Sequence, residues 1–245
     1  VVIAPFGTRS LCSGDTLTLS IITAADTYEI IKDGNVIATQ KLTKFAITQP
    51  GRYAVRIKTP SGCDGVSEEL TVSVPDIRYH FEPTALDVGT MRACENSKTG
   101  SFTIINDGGK PITFTNIAMP AGFALVSPDV GFVIQPGNKQ EVTVRFSPSG
   151  NGNISGDAMF TADPCGVRLG IRLTGSKTEA LASLDKAEVN FGVYSTCPTS
   201  SVRDSSVFVL TNSGSEDITV TPPIVSPPFY INFSTTSLSP LQSVS

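Results

Sequence analysis

The chain has 245 residues with 16% charged side chains, 21 glycines and 17 prolines, which favours many short elements in one large domain or two to three small ones. Its net charge of −4 divides into 0, −1 and −3 over residues 1–75, 76–176 and 177–245, so no third is basic enough to predict nucleic-acid binding. No apolar run approaches the roughly 18 residues of a membrane-spanning helix, and no signal peptide is recognisable, so we expect no membrane insertion and expect the numbering to begin after a removed signal or inside a longer protein.

Two stretches predict β-hairpins. In residues 28–38 (YEIIKDGNVIA), β-forming runs flank Asp33-Gly34, and in residues 101–117 (SFTIINDGGKPITFTNI) they flank residues 106–109 (NDGG). Both turns contain residues that tolerate positive φ, which tight hairpins require. We therefore expect the strands on either side of each turn to pair.

Period-two alternation continues toward the C-terminus and predicts half-buried strands. Residues 141–146 (EVTVRF) place Val142, Val144 and Phe146 on one face, and residues 166–175 (GVRLGIRLTG) alternate in the same way. No segment of a dozen residues carries a helical stripe. Short strands with frequent turn signals are typical of an all-β fold, here tandem immunoglobulin-like β-sandwiches.

An internal repeat relates the second and last thirds of the chain. Residues 87–94 (DVGTMRAC) return as residues 190–197 (NFGVYSTC) at a spacing of 103, and Asn106 corresponds to Asn212 at a spacing of 106. Apolar positions agree between the copies, so each side chain keeps its face of the strand. A period near 100 residues is the size of one sandwich, which predicts tandem domains that each have their own core.

The repeated region carries the motifs of a known module. In family order it contains FEPTALDVG (81–89), TIINDGG (103–109), FVIQPGNKQEVTVRFSP (132–148) and VRLGIRLTG (167–175). This order resembles the choice-of-anchor D modules of bacterial surface proteins, relatives of the ASH and MSP-type immunoglobulin domains. The resemblance covers roughly residues 77–175 and part of 181–245, and it implies spacers and binding surfaces, with a secretion or anchoring signal downstream.

The first 75 residues resemble a different module, the immunoglobulin-like domains of secreted Bacteroidetes-type proteins. The resemblance rests on LCSGDTLTLS (11–20) and ITQPGRYAVRIKTPSGCDG (47–65). Tyr53 is the expected tyrosine-corner residue, and Ile30 or Ile31 is expected to fill the core in place of tryptophan, which the chain lacks.

The predicted domains are therefore residues 1–75, 76–176 and 177–245. The first repeat continues for 39 residues beyond Pro136, whereas five residues follow its counterpart Pro240. We expect the third domain to be incomplete at its C-terminal strands. A continuing chain, or a strand from another chain, would supply them.

Five cysteines in a turn-rich β chain predict a disulfide framework with one member left over. We predict Cys12–Cys63 and Cys94–Cys165, because each pair is expected near one end of the same sandwich. Cys197 is the counterpart of Cys94 and is expected to be unpaired or to have its partner outside the chain. The implied compartment is oxidising, namely the exterior or surface of a bacterial cell, reached through the periplasm.

No catalytic, cofactor-binding or metal-ligating residue is predicted. His80 is the only histidine and is interpreted as structural, because no serine lies in a G-x-S-x-G turn that could use it. The cysteines lack zinc-site spacing, and no EF-hand loop is present. A calcium site built from the loop ends of two domains stays an open alternative.

The sequence thus predicts a non-enzymatic spacer or stalk of a bacterial surface or secreted protein, with no cofactor. Its partners would be other domains of the same protein or other surface proteins. The loops at residues 94–100, 147–157 and 196–206 are the expected contact regions, because a rigid sandwich presents its loops in clusters. Two alternatives are a filament subunit that associates end to end by strand donation, and a carbohydrate-binding region of a secreted enzyme.

Overall fold

A computed structural model describes residues 1–58, 64–192 and 204–245. The secondary structure of these ranges consists of β-strands, arranged as immunoglobulin-like β-sandwiches in tandem. Within the same ranges, no helix has the length and apolarity needed to cross a membrane. The predicted fold class, all-β with tandem immunoglobulin-like sandwiches, is confirmed.

The first sandwich is built from two sheets that enclose one apolar core. Its strands are β1 (Ile3–Ala4), β2 (Gly7–Ser10), β3 (Leu17–Ile21), β4 (Thr27–Lys32), β5 (Asn35–Gln40), β6 (Lys44–Ile47), β7 (Gly51–Lys58), β8 (Asp64–Val66) and β9 (Leu70–Ser73). One sheet has the order β1-β3-β6, and the other has the order β2-β9-β7-β4-β5 with β8 beside β7. Strand β2 runs parallel to β9.

Local features of the first sandwich agree with the sequence. The hydroxyl of the buried Tyr53 donates a 2.8 Å hydrogen bond to the carbonyl of Gln49, which forms the expected tyrosine corner. Ile30 is fully buried in the core that lacks tryptophan. Strands β4 and β5 pair antiparallel around Asp33 and Gly34, whose φ angles are 49° and 85°, so the first predicted hairpin is confirmed.

The second sandwich has the same two-sheet plan. Its strands are β10 (Tyr79–Glu82), β11 (Ala85–Met91), β12 (Lys98–Asn106), β13 (Ile112–Ala118), β14 (Phe123–Ser127), β15 (Val133–Ile134), β16 (Lys139–Phe146), β17 (Gly152–Asp163) and β18 (Val167–Lys177). The sheets have the orders β10-β12-β16-β14 and β11-β18-β17-β13-β15.

Alternation along the strands builds the core of the second sandwich. Val142, Val144 and Phe146 of β16 are fully buried, and they pack with aromatic rings of which Phe114 and Phe160 are also fully buried. On β18 the expected inward residues Ile171 and Leu173 are buried, whereas Leu169 near the strand's beginning is 38% exposed. The core therefore ends before the tip of the β17–β18 hairpin.

The second predicted hairpin is wrong. Strands β12 and β13 belong to different sheets, so residues 107–111 connect the two layers of the sandwich and do not close a pair. The side chain of buried Asn106 holds this crossing. It donates to the carbonyls of Lys110 and Ile134, both at 2.9 Å, and accepts a bond from the amide of Gly108 at 2.9 Å.

Strand β11 runs parallel to β18 and contains a bulge. Ala85 lies opposite Arg172 and Met91 lies opposite Lys177, with a register shift between Asp87 and Thr90. Gly89 lies in the bulge at a φ of 80°, as expected for a glycine at such a position. Because the strands are parallel, the end of β11 and the end of β18 lie at the same end of the sandwich.

The third β-segment repeats the turn chemistry of the second sandwich. Its described strands are β19 (Ala182–Leu184), β20 (Leu210–Asn212), β21 (Ile218–Val220), β22 (Thr236–Leu238) and β23 (Ser243–Val244). Buried Asn212 donates to the carbonyls of Glu216 and Leu238, both at 2.8 Å, which are the counterparts of the two bonds of Asn106. Leu241 has a φ of 67° where Gly137 has 73°, so the turn is kept despite the substitution.

Candidate functional site at the junctions between sandwiches

A disulfide bond joins the first sandwich to the second. Cys12 lies two residues after β2, and Cys165 lies in the turn between β17 and β18, with 5.2 Å between their Cα atoms. The two residues are separated by 153 positions in sequence. The bond therefore connects separate hydrophobic cores, one formed by strands β1–β9 and the other by β10–β18.

This bond overturns the predicted pair Cys94–Cys165. Cys94 follows Met91, which lies opposite Lys177 at the end of β18, whereas Cys165 comes just before β18 begins. An 11-residue strand with a rise of roughly 3.3 Å per residue places these two cysteines about 30 Å apart. A disulfide requires Cα atoms within about 7 Å. The predicted pair required both residues at one end of the sandwich, whereas they lie at opposite ends of β18.

The predicted pair Cys12–Cys63 is also wrong, because Cys12 is bonded to Cys165. Cys63 and Cys197 lie outside the described residues. Cys94 is exposed and carries no disulfide to any other cysteine in the described ranges.

The linker between the two sandwiches is hydrogen-bonded to the second one. The amide of Gly109 donates to the carbonyl and to the carboxylate of Asp76, both at 3.1 Å, and the amide of Asp107 donates to the carbonyl of Arg78 at 2.9 Å. The guanidinium of Arg78 lies 2.7 Å from the carboxylate of Asp76, and it lowers the pKa of that carboxyl together with the Gly109 amide.

This anchored linker and Cys165 lie at the same end of the second sandwich. Thr113 at the beginning of β13 lies opposite Asp163 at the end of β17, so the preceding turn of residues 107–111 is next to the turn that contains Cys165. The linker and the disulfide are thus both attached at this end of the second sandwich.

Glu216 forms the second junction. One carboxylate oxygen accepts hydrogen bonds from the amide of Ala93 at 3.0 Å and from the hydroxyl of Thr178 at 2.9 Å, and the guanidinium of Arg92 lies 4.0 Å from the other oxygen. The Ala93 amide, followed by the Thr178 hydroxyl and the Arg92 charge, lowers the pKa of Glu216. An open groove of about 440 Å³ lies beside this carboxylate, lined also by Thr90 and Asp217.

The two junctions use equivalent loops of the preceding sandwich, but the turns that receive these loops are not equivalent. Cys165 lies just before the last strand of its sandwich, whereas Glu216 lies in the turn after Asn212, the counterpart of Asn106. In each sandwich one strand runs parallel to the last strand, β2 beside β9 in the first and β11 beside β18 in the second. The loop after β2 contacts Cys165, and the loop after β11 contacts Glu216. This repeated contact is a head-to-tail arrangement. Sequence reasoning missed Glu216 because a single glutamate in a polar turn carries no distinguishing pattern.

His80 lies away from both cores, on the edge strand β10. Its Nδ1 atom is 2.5 Å from a carboxylate oxygen of Asp107, and its Nε2 atom is 3.7 Å from Glu82. These carboxylates, Asp107 first, raise the pKa of His80. The contacts form an exposed ionic cluster. Among the described residues no group of three or more acidic, histidine or cysteine side chains could hold a metal ion.

Comparison with protein-family models gives a match to the second sandwich. Residues 78–176 match the family model of the HYDIN/CFA65/VesB-like immunoglobulin-like domain. No curated protein matches the chain. The match places an immunoglobulin-like domain at the sandwich that receives the disulfide.

Three solved structures are among those that the chain matches. The ASH/PapD-like domain 7 of human CEP192 is 16% identical over 44% of this chain and 91% of that chain, with a TM-score of 0.38. A protein of unknown function from Porphyromonas gingivalis W83 is 14% identical over 71% and 98%, with a TM-score of 0.34. The VesB protease of Vibrio cholerae is 17% identical over 60% and 49%, with a TM-score of 0.33, so the match spans about half of that protease.

Proposed function

We propose that this chain is a non-catalytic structural and adhesion module, a disulfide-tied spacer or stalk of a secreted or surface-attached bacterial protein. Its domains would be residues 1–75, 76–176 and 177–245. The observation that carries this proposal is the Cys12–Cys165 bond, which joins two sandwiches that each have a separate core. A spacer needs such a connection because domains joined only by a flexible linker move relative to each other.

Two further contacts support a fixed spacing along the chain. The linker residues Asp76 and Arg78 are hydrogen-bonded to the turn at residues 107–109, and Glu216 binds the loop after β11. Each of these contacts restricts one junction. Together with the disulfide they limit how far adjacent sandwiches can rotate.

The oxidised cysteine pair supports an extracellular location, because structural disulfides persist mainly in oxidising compartments. The resemblance to choice-of-anchor D modules supports a bacterial surface protein. We propose that partners are other domains or surface proteins, bound through exposed loop residues such as Ser149 and Gly150 between β16 and β17. No cofactor is part of this proposal.

Small-angle X-ray scattering of the oxidised chain tests the spacer function. We expect one extended particle whose maximum dimension stays the same when salt or temperature changes moderately. The matched control is the double variant Cys12→Ser/Cys165→Ser, which we expect to show a broader distribution of dimensions. A wild-type chain that samples compact and extended shapes as broadly as this variant would refute the spacer.

A second candidate function, a filament subunit that associates end to end, is favoured by exposed apolar side chains in the third β-segment. Ile224 is fully exposed, Tyr230 is 90% exposed and Phe229 is 57% exposed. Phe229 and Tyr230 are adjacent in the chain, and contiguous exposed apolar side chains mark contact surfaces for other proteins. Light scattering over a concentration series tests this candidate: we expect association that Tyr230→Ser weakens, and a monomer at every concentration would refute it.

A further inference from the structure

We propose that the Cys12–Cys165 bond is a redox-controlled mechanical bypass, which carries tension from the first sandwich to the end of the second without loading the residues between them. This inference rests on the proposed spacer function and adds a response to force. It follows from the position of the two cysteines in the strand order. It also identifies the chemistry that would switch the response, a thiol reductant.

The bond closes a covalent ring around most of both sandwiches. Cys12 and Cys165 are 153 positions apart, so residues 13–164 lie inside the ring and include strands β3 to β17. When the two ends of the chain are pulled, force follows the shorter covalent path through the cystine. The residues inside the ring carry no net tension while the bond is intact.

The strands on the force path are already extended. Pulling from the N-terminus loads β2 (Gly7–Ser10), which is followed by Cys12, and the path leaves Cys165 through β18 (Val167–Lys177). A β-strand rises about 3.3 Å per residue, close to the maximum length of the backbone. These two strands can therefore bear tension along their axes while they stay paired with β9, β11 and β17.

Reduction would move the force onto the folded cores. Both cysteines are partly exposed, so a dithiol can attack the bond and form a mixed disulfide, which its second thiol resolves. The cystine gains two electrons and two protons and becomes two thiols, while the dithiol becomes a disulfide. Residues 13–164 then join the force path, and both sandwiches can unfold under tension.

Single-molecule force spectroscopy of the 245-residue chain, with handles at both ends, tests the bypass. The background carries Cys63→Ser, Cys94→Ser and Cys197→Ser, so that Cys12–Cys165 is the only disulfide. The oxidised chain should extend by the 93 residues outside the ring (1–12 and 165–245), or roughly 300 Å, and after reduction by all 245, or roughly 800 Å. The maximum extension thus rises about 2.6-fold, and an oxidised chain that reaches the full length would overturn the proposal.

The added variant Cys12→Ser should reach the full length without reductant. If this variant does not fold, cleavage of the background chain after the exposed Arg92 gives a second test. Cys12–Cys165 keeps the two fragments together on a non-reducing gel, and fragments that separate without reductant would overturn the bypass. A chain that is rigid by scattering but extends fully when oxidised would refute the bypass and leave the spacer function standing.

Discussion

At the scale of single residues, buried polar side chains hold the chain where it crosses between sheets. Asn106 and Asn212 are both 0% exposed, and each satisfies two carbonyls and one amide with its own side chain. Buried carbonyls and amides that lose such partners cost free energy. The asparagine is therefore part of the architecture and not merely a residue suited to turns.

Replacing Asn106 with alanine should lower the free energy of unfolding of the second sandwich by roughly 3 kcal/mol, because it leaves the Ile134 carbonyl and the Gly108 amide without partners. Urea denaturation followed by circular dichroism measures the change. Asn116→Ala, at an exposed position of β13, is the matched control and should change stability by less than about 0.5 kcal/mol. Equal losses in both variants would contradict this role.

Tyr79 is a second buried polar residue with a defined role. Its hydroxyl donates to the carbonyl of Phe160 at 2.8 Å and accepts from the amide of Leu169 at 3.1 Å, at the tip of the β17–β18 hairpin. Burial raises the pKa of Tyr79 to about 12. The neutral phenol is thus favoured in the folded state.

This raised pKa predicts a loss of stability in alkali. The contribution of Tyr79 to the free energy of unfolding is fully present below its unfolded pKa of 10.0. It is lost as pH rises from there through the folded pKa of about 12. Denaturation at a series of pH values should show this decline, and Tyr79→Phe should be less stable at neutral pH with a shallower alkaline decline. An identical alkaline decline in both proteins would exclude Tyr79 as its source.

At the scale of elements, the bulge in β11 lets this strand run beside β18 to the end of the sandwich. Gly89 has a φ of 80°, and its amide donates to the carboxylate of Asp87 at 2.8 Å. Gly192 has a φ of 76°, with the same bond to Asn190. The repeated motif therefore encodes one backbone conformation in both copies.

Gly89→Ala should lower the free energy of unfolding by about 1–2 kcal/mol, because a residue with a Cβ atom is strained at positive φ. Gly150→Ala is the matched control, since its added methyl group would meet no atom within 4 Å and its backbone is not in the left-handed region. Thermal denaturation of both variants measures the difference. A control that loses as much stability as Gly89→Ala would show that the bulge is not responsible.

At the scale of the whole molecule, the junctions determine how the sandwiches are arranged in series. The disulfide holds the first junction covalently, whereas Glu216 holds the second through the Ala93 amide and the Thr178 hydroxyl. These two kinds of contact respond to different conditions. A reductant acts on the first junction and acid acts on the second.

The lowered pKa of Glu216 predicts that its junction weakens in acid. The contribution of the Glu216 carboxylate to the stability of this junction is fully present above the ordinary carboxyl pKa of 4.5. It is lost as pH falls through the lower pKa that Glu216 has in the folded state. Glu216→Ala should weaken the junction already at neutral pH, seen as faster hydrogen exchange at the Ala93 amide. The neighbouring Asp217→Ala is the control, and unchanged exchange in Glu216→Ala would refute the contact.

Much of the fold could be predicted from the sequence, because alternation and turn chemistry are local. The burial of Val142, Val144 and Phe146 follows from a period of two, and the hairpin at Asp33-Gly34 follows from residues that accept positive φ. The correspondence of Asn106 with Asn212 was also visible in the sequence repeat, and the two residues form equivalent hydrogen bonds in the structure.

Only the tertiary structure decided which distant residues meet. The turn after Asn106 has the same letters whether the strands around it pair or cross between sheets, and here they cross. Cysteine pairing likewise depends on the parallel course of β11 and β18, which places Cys94 and Cys165 at opposite ends of one sandwich, and on the head-to-tail contact that brings Cys12 to Cys165. Strand order and the packing of successive sandwiches are properties of the assembled sheets, and no local pattern records them.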